Sequence, residues 1–141
     1  MFLRSFAVML MSLLASQLAF AQGQPKLLVR EATISPSSAQ VTAEVADGAV
    51  TVTIEPGNEG YPGITLKPAA GGLWDLSEYG YVEAHITNLT DTPITVGIRV
   101  DDNGDWRTSP WNSENLYLKA NASGSKRVYF GMSYGKKGHD L

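Results

Sequence analysis

The chain is expected to fold as an all-β domain, two antiparallel sheets packed face to face as a jelly-roll sandwich, and three observations lead there. Apolar residues alternate with polar ones at period two along most of the chain. No window of eleven or more residues carries the helical i, i+3, i+4 spacing. Some seven short half-buried runs are separated by turn residues, the pattern of paired sheets rather than one open sheet.

The N-terminus is read first. Arg4 precedes an apolar run from Phe6 to Leu14, and Ala19, Phe20 and Ala21 form an A-x-A site, so residues 1–21 are expected to be a secretory signal peptide cut after Ala21. The run is shorter than the ~20 residues a bilayer-spanning helix needs, so no membrane span is expected. The product is then extracellular or periplasmic. Residues 22–38 hold Pro25, Pro36 and a serine pair without a sustained period, and read as a linker or N-terminal arm with at most one strand around Leu27 to Glu31.

The domain proper is expected over residues 39–141. Val41, Ala43 and Val45 alternate with Gln40, Thr42 and Glu44; after Asp47 and Gly48, Val50, Val52 and Ile54 alternate with Thr51, Thr53 and Glu55. Asp-Gly between such runs is a strong hairpin signal, because both turn positions need positive φ. Ile64 and Leu66 mark a short strand after Pro62. Val82, Ala84 and Ile86 form one apolar face against Tyr81, Glu83, His85 and Thr87, and Ile94, Val96, Ile98 and Val100 another against Thr95, Gly97 and Arg99. Leu116 with Leu118, then Val128, Phe130 and Met132, continue the pattern. No internal repeat is evident.

Composition narrows the function. Loss of Arg4 with the signal takes eleven Lys and Arg to ten, against fourteen Asp and Glu, a net charge of −4 without a basic block. Nucleic acid is therefore not an expected partner. The chain has no cysteine, which excludes disulfides and thiolate chemistry.

Chemistry concentrates in Asp101 to Asn115, DDNGDWRTSPWNSEN, where two tryptophans and an arginine stand among amides and carboxylates in a turn-rich stretch. Indole faces stack on the apolar face of a pyranose, while Asn, Asp and Arg satisfy its hydroxyls. The expected carbohydrate site is built from Trp106, Arg107, Trp111, Asn112 and Asn115, with Tyr117 and Arg99 beside them. Trp74, flanked by Leu73 and Leu76, reads as a core plug. Arg107, Asn112 and Asn115 have a competing reading as residues that tie down their own loop.

Other chemistries fit less well. Asp101, Asn103 and Asp105 match the first ligands of a calcium loop, but Trp106 stands where its glycine belongs and Asn112 where its bidentate Glu belongs, so a turn is expected, with no metal and no cofactor. His85 and His139 lack the spacing of a metal pair. Glu83 with Asp101 or Glu114 is the nameable carboxylate pair for hydrolysis, and nothing distinguishes it from surface acids, so the chain is expected not to be an enzyme. If the turn at Leu89 to Thr92 were a symmetric hairpin, Glu83 would face Arg99, with a gap at Gly97 beside His85. Asn88 and Asn121 open N-x-S/T acceptor patterns in expected turns.

An ordered series of motifs adds a resemblance: GYPGITLKPAAGGLWDLSEYGYVEAHITN, then I-x-V-D-x-N-G-D-W-R, then PWNSENLYL, then FGMSYG. Over about residues 40 to 141 the chain resembles the carbohydrate-binding-module-like domain at the N-terminus of exo-acting β-agarases. The resemblance implies a jelly roll that holds agarose-type galactan for a glycoside hydrolase barrel, which carries the hydrolytic carboxylates. It also implies one more strand after FGMSYG, so the chain is expected to be either a fragment or a shortened stand-alone version with an open edge. The rival expectation is a structural or protein-binding sandwich using Tyr61, Tyr79, Tyr117 and Tyr134 as contacts.

Overall fold

A computed structural model describes residues 7–16, 25–101, 111–133 and 136–137. These residues are mostly strand with almost no helix, so the protein is all-β. The strands are β1 (Ala7–Ser16), β2 (Lys26–Leu27), β3 (Ala32–Pro36), β4 (Val41–Ala46), β5 (Ala49–Ile54), β6 (Ile64–Pro68), β7 (Tyr81–Asn88), β8 (Ile94–Val100), β9 (Asn112–Leu118), β10 (Ser123–Tyr129), β11 (Met132–Ser133) and β12 (Lys136–Lys137). A single turn of 3-10 helix, Leu28–Glu31, separates β2 from β3.

The largest sheet runs β10-β7-β1-β5-β4, with β2 on the part of β1 beyond β5. The pairs β3–β6, β8–β9 and β11–β12 form separate two-stranded ribbons, all antiparallel. The expected hairpin is present: β4 and β5 pair from Val41↔Ile54 to Ala46↔Ala49, and the turn takes Asp47 to φ 52° and Gly48 to φ 76°. Two successive left-handed residues match the right-handed twist of the flanking strands.

Alternation places the core. Val50, Val52, Val82, Ala84, Ile86 and Val128 come from the large sheet and Ile98 and Leu118 from the β8–β9 ribbon, all in one buried cluster. Burying a Val or Ile side chain contributes about 1.5–3 kcal/mol, so these valines and isoleucines are a large share of the folding free energy. Trp74 packs half-buried against this cluster, with the Lys26 ammonium 5.5 Å above its ring. It is the plug the sequence suggested.

Three differences from the sequence reading have physical causes. The apolar stretch read as a signal segment occupies the middle of the large sheet as β1, between β5 and β7. A continuous apolar run suits either an export signal or a strand covered on both faces, and periodicity cannot separate the two.

The stretch read as a linker is part of the fold from Lys26 onward. Leu28 and Val29 are in the core, and Ala32–Pro36 pairs with β6. Its alternation, with Ala32 and Ile34 half-buried and Thr33 and Ser35 exposed, was masked by the prolines and serines around it.

The turn after Asn88 does not make a hairpin. β7 pairs with β1 and β10, and β8 pairs with β9, so the chain leaves the large sheet between them. Asn88 is fully buried there. Its Nδ2 donates to the carbonyls of Thr92 at 2.7 Å and Lys119 at 3.0 Å, and its Oδ1 accepts from the Thr90 amide at 3.0 Å and hydroxyl at 2.9 Å. This acceptor-pattern asparagine is thus a buried clamp between two turns. Asn121, the other, is an exposed turn residue at φ 55°.

Candidate functional site on the β8–β9 ribbon

Antiparallel pairing decides which of the expected residues meet. In the β8–β9 register Arg99 lies opposite Ser113, Gly97 opposite Asn115 and Thr95 opposite Tyr117. Directly opposed residues share a face, so Arg99, Asn115 and Tyr117 line the side away from the core, while Val96, Ile98, Leu116 and Leu118 line the other.

Trp111 joins the line at the head of β9, half-buried, with the Arg99 guanidinium 5.2 Å above its ring. Arg99 in turn donates to both carboxylate oxygens of Asp101, at 2.6 and 2.8 Å. This two-pronged bond sets the plane of the guanidinium and therefore its stack on the indole.

Between Arg99 and Tyr117 the floor is low, because Gly97 has no side chain. Among the described residues, a Cβ there would meet only Asn115 Oδ1, at 3.5 Å. The gap expected beside His85 is therefore beside Asn115. From Ser113 to Tyr117 the strand rises about 13 Å. Tyr117 is 62% exposed and offers a ring at one end; Arg99 and Trp111 stand at the other.

The remaining expected residues are elsewhere. Asn112 faces the core side opposite Val100, is 2% exposed, and so does not reach this face. Its parity along β9 is that of Leu116 and Leu118, which a turn-based reading of PWNSEN overlooked. Its Oδ1 has no hydrogen-bond partner among the described residues. Trp106, Arg107 and the acidic cluster after Asp101 lie outside the described residues, as do Tyr134 and His139.

A second polar face, less visible in the sequence, lies on β7 and β10. Tyr81 pairs with Tyr129, Glu83 with Arg127, His85 with Ser125 and Thr87 with Ser123. The Tyr81 and Tyr129 rings are 5.2 Å apart, and the Arg127 guanidinium lies 4.5 Å over Tyr81. Glu83 accepts from Arg127 and is 3.0 Å from His85 Nε2, while Ser125 Oγ is 2.7 Å from His85 Nδ1.

The Glu83 carboxylate and then Tyr129 hold the Arg127 guanidinium protonated well beyond its usual range. The partner expected for Glu83, Arg99, is on the other ribbon because β7 and β8 do not pair. The signal for the true partner was the alternation of Arg127 and Tyr129 around Val128. An open depression of about 470 Å³ at this edge is lined by Glu83, Glu114, Ser125, Lys126, Arg127 and Tyr129.

The carboxylates nameable as a hydrolytic pair each face a cation: Glu83 faces Arg127, Asp101 faces Arg99, and Glu114 is 3.1 Å from Lys126. No protein-family model, curated protein or solved structure matches the chain.

Proposed function

We propose that this protein is a secreted, non-catalytic carbohydrate-binding module for a neutral, agarose-type galactan, folded as a two-layer jelly-roll sandwich and serving a glycoside hydrolase. The observation that supports the binding reading most is that Arg99, Trp111, Asn115 and Tyr117 fall on one face of the β8–β9 ribbon, with the Gly97 notch beside Asn115. Stacking rings at two ends with amide and guanidinium donors between them suit a sugar chain. The pairing of Glu83, Asp101 and Glu114 with cations supports a binding role over an acid–base one. Export rests on Arg4, the apolar run and Ala19-Phe20-Ala21, with cleavage after Ala21.

The test is a titration with neoagaro-oligosaccharides followed by tryptophan fluorescence, with Trp111→Ala and Tyr117→Ala variants alongside. A saturable change is expected, weakened about tenfold in each variant, the equivalent of about 1.4 kcal/mol. A folded protein that gives no response refutes the glycan reading. Tyr61 and Leu73, 96% and 63% exposed, favour protein contact as the second reading, in which Tyr61→Ala and Leu73→Ala abolish partner binding instead.

A further inference from the structure

β1 is antiparallel to both of its neighbours, so β5 and β7 run parallel to each other and never pair directly. They stand two strand spacings apart, about 9.5 Å. β7 pairs with β1 at every position from Asn88 to Tyr81, and β5 from Ile54 to Val50. Val50, Val52, Ala84 and Ile86, all 0–1% exposed, belong to the strands bordering this slot.

Cleavage after Ala21 would leave Ala7–Ser16 without a covalent link to the domain. Both flanking strands would then present unpaired N–H and C=O groups across a gap one strand wide. Two facing edges are a stronger template than one, because a strand entering the gap forms both ladders at once.

We propose that the slot between β5 and β7 is an acceptor site for a strand donated by another polypeptide, an uncharged aliphatic segment of about ten residues that runs antiparallel to both walls. The segment seated there defines that chemistry: AVMLMSLLAS has no charge and no proline, and eight of its ten residues are Ala, Val, Leu or Met. A proline mid-strand would remove a ladder hydrogen bond. The proposal rests on cleavage after Ala21.

The experiment uses the full chain with a specific protease sequence inserted between Ala21 and Gln22. After cutting, native mass spectrometry is expected to find fragment and domain still together. A dye-labelled peptide AVMLMSLLAS with a lysine tail then exchanges in at one per domain, while the same peptide with proline in place of its second methionine loses uptake.

A cut domain that stays folded and monomeric, keeps amide protection in β5 and β7 and takes no peptide overturns the proposal. So does one that aggregates and is not rescued by peptide, or one that fills the slot with a second copy of itself. The N-terminal sequence of exported protein tests cleavage separately: an intact Met1 end there refutes cleavage after Ala21, on which the proposal rests, even if the cut chain still takes up peptide in vitro.

Discussion

Replacing Asn88 by alanine probes the clamp that holds the β8–β9 ribbon to the large sheet. Four side-chain hydrogen bonds disappear, to the Thr92 and Lys119 carbonyls and from the Thr90 amide and hydroxyl. Not all of the former partners are stranded. Thr92 O keeps the Thr90 hydroxyl at 2.9 Å, and Lys119 O keeps the Ala122 amide at 3.2 Å. The Thr90 amide, in a residue only 6% exposed, loses its acceptor.

Four bonds at roughly 0.5 kcal/mol net each, with one buried donor left unmet at about 1–2 kcal/mol, give about 3–4 kcal/mol. For a domain of this size that lowers the melting temperature by about 10–15 °C. Asn88→Asp should cost at least as much, since it sets a carboxylate oxygen against two carbonyls. Urea unfolding with the slope held constant measures the change. A loss under about 1 kcal/mol would mean that the two turns are held by something other than this side chain, and would refute the clamp.

Three further outcomes are expected. Gly48→Ala should destabilise by about 1–2 kcal/mol in urea unfolding, since φ is 76° there and the new Cβ would lie 3.1 Å from Arg30 Nε and 3.3 Å from Leu27 Cδ2. Asp75 accepts from the Ser77 hydroxyl and amide, which hold its carboxyl below the ordinary 3.8. Its stabilising contribution is present above the unfolded value and is lost as pH falls through the lower folded one; carboxyl NMR titration should show this, and Ser77→Ala should move the value back up. Arg99→Gln should weaken oligosaccharide binding in the fluorescence titration while changing stability by less than about 1 kcal/mol, because its ion pair with Asp101 is exposed.

Much of the strand content was legible from residue type alone. The inner residues of β5 and β8 are those the period of two picked out, because a strand half in water must alternate; in β4 Val41 and Ala43 follow the pattern but Val45 is 56% exposed, and in β7 Tyr81 and Glu83 are buried along with Val82, Ala84 and Ile86. The Asp47–Gly48 turn was legible too, since few other dipeptides accept two positive φ angles. β3 and the first half of β10 were hidden, the one behind prolines and serines, the other because Ser123, Gly124 and Ser125 carry no apolar signal.

Of the candidate site, sequence identified the residue types, and the β8–β9 register decided which of them meet. Arg99, Asn115 and Tyr117 share a face because antiparallel partners do, and Asn112 is turned inward because it is an odd number of positions from each of the β9 pair. Glu83 pairs with Arg127, forty-four residues away, rather than with nearby Arg99, because the chain leaves the large sheet after Asn88. Alternation is a local property that each segment carries by itself. Partnership between strands depends on which edges the folded chain brings side by side, and the ten residues of β1 lie between β5 and β7 only because both of those edges are open to receive them.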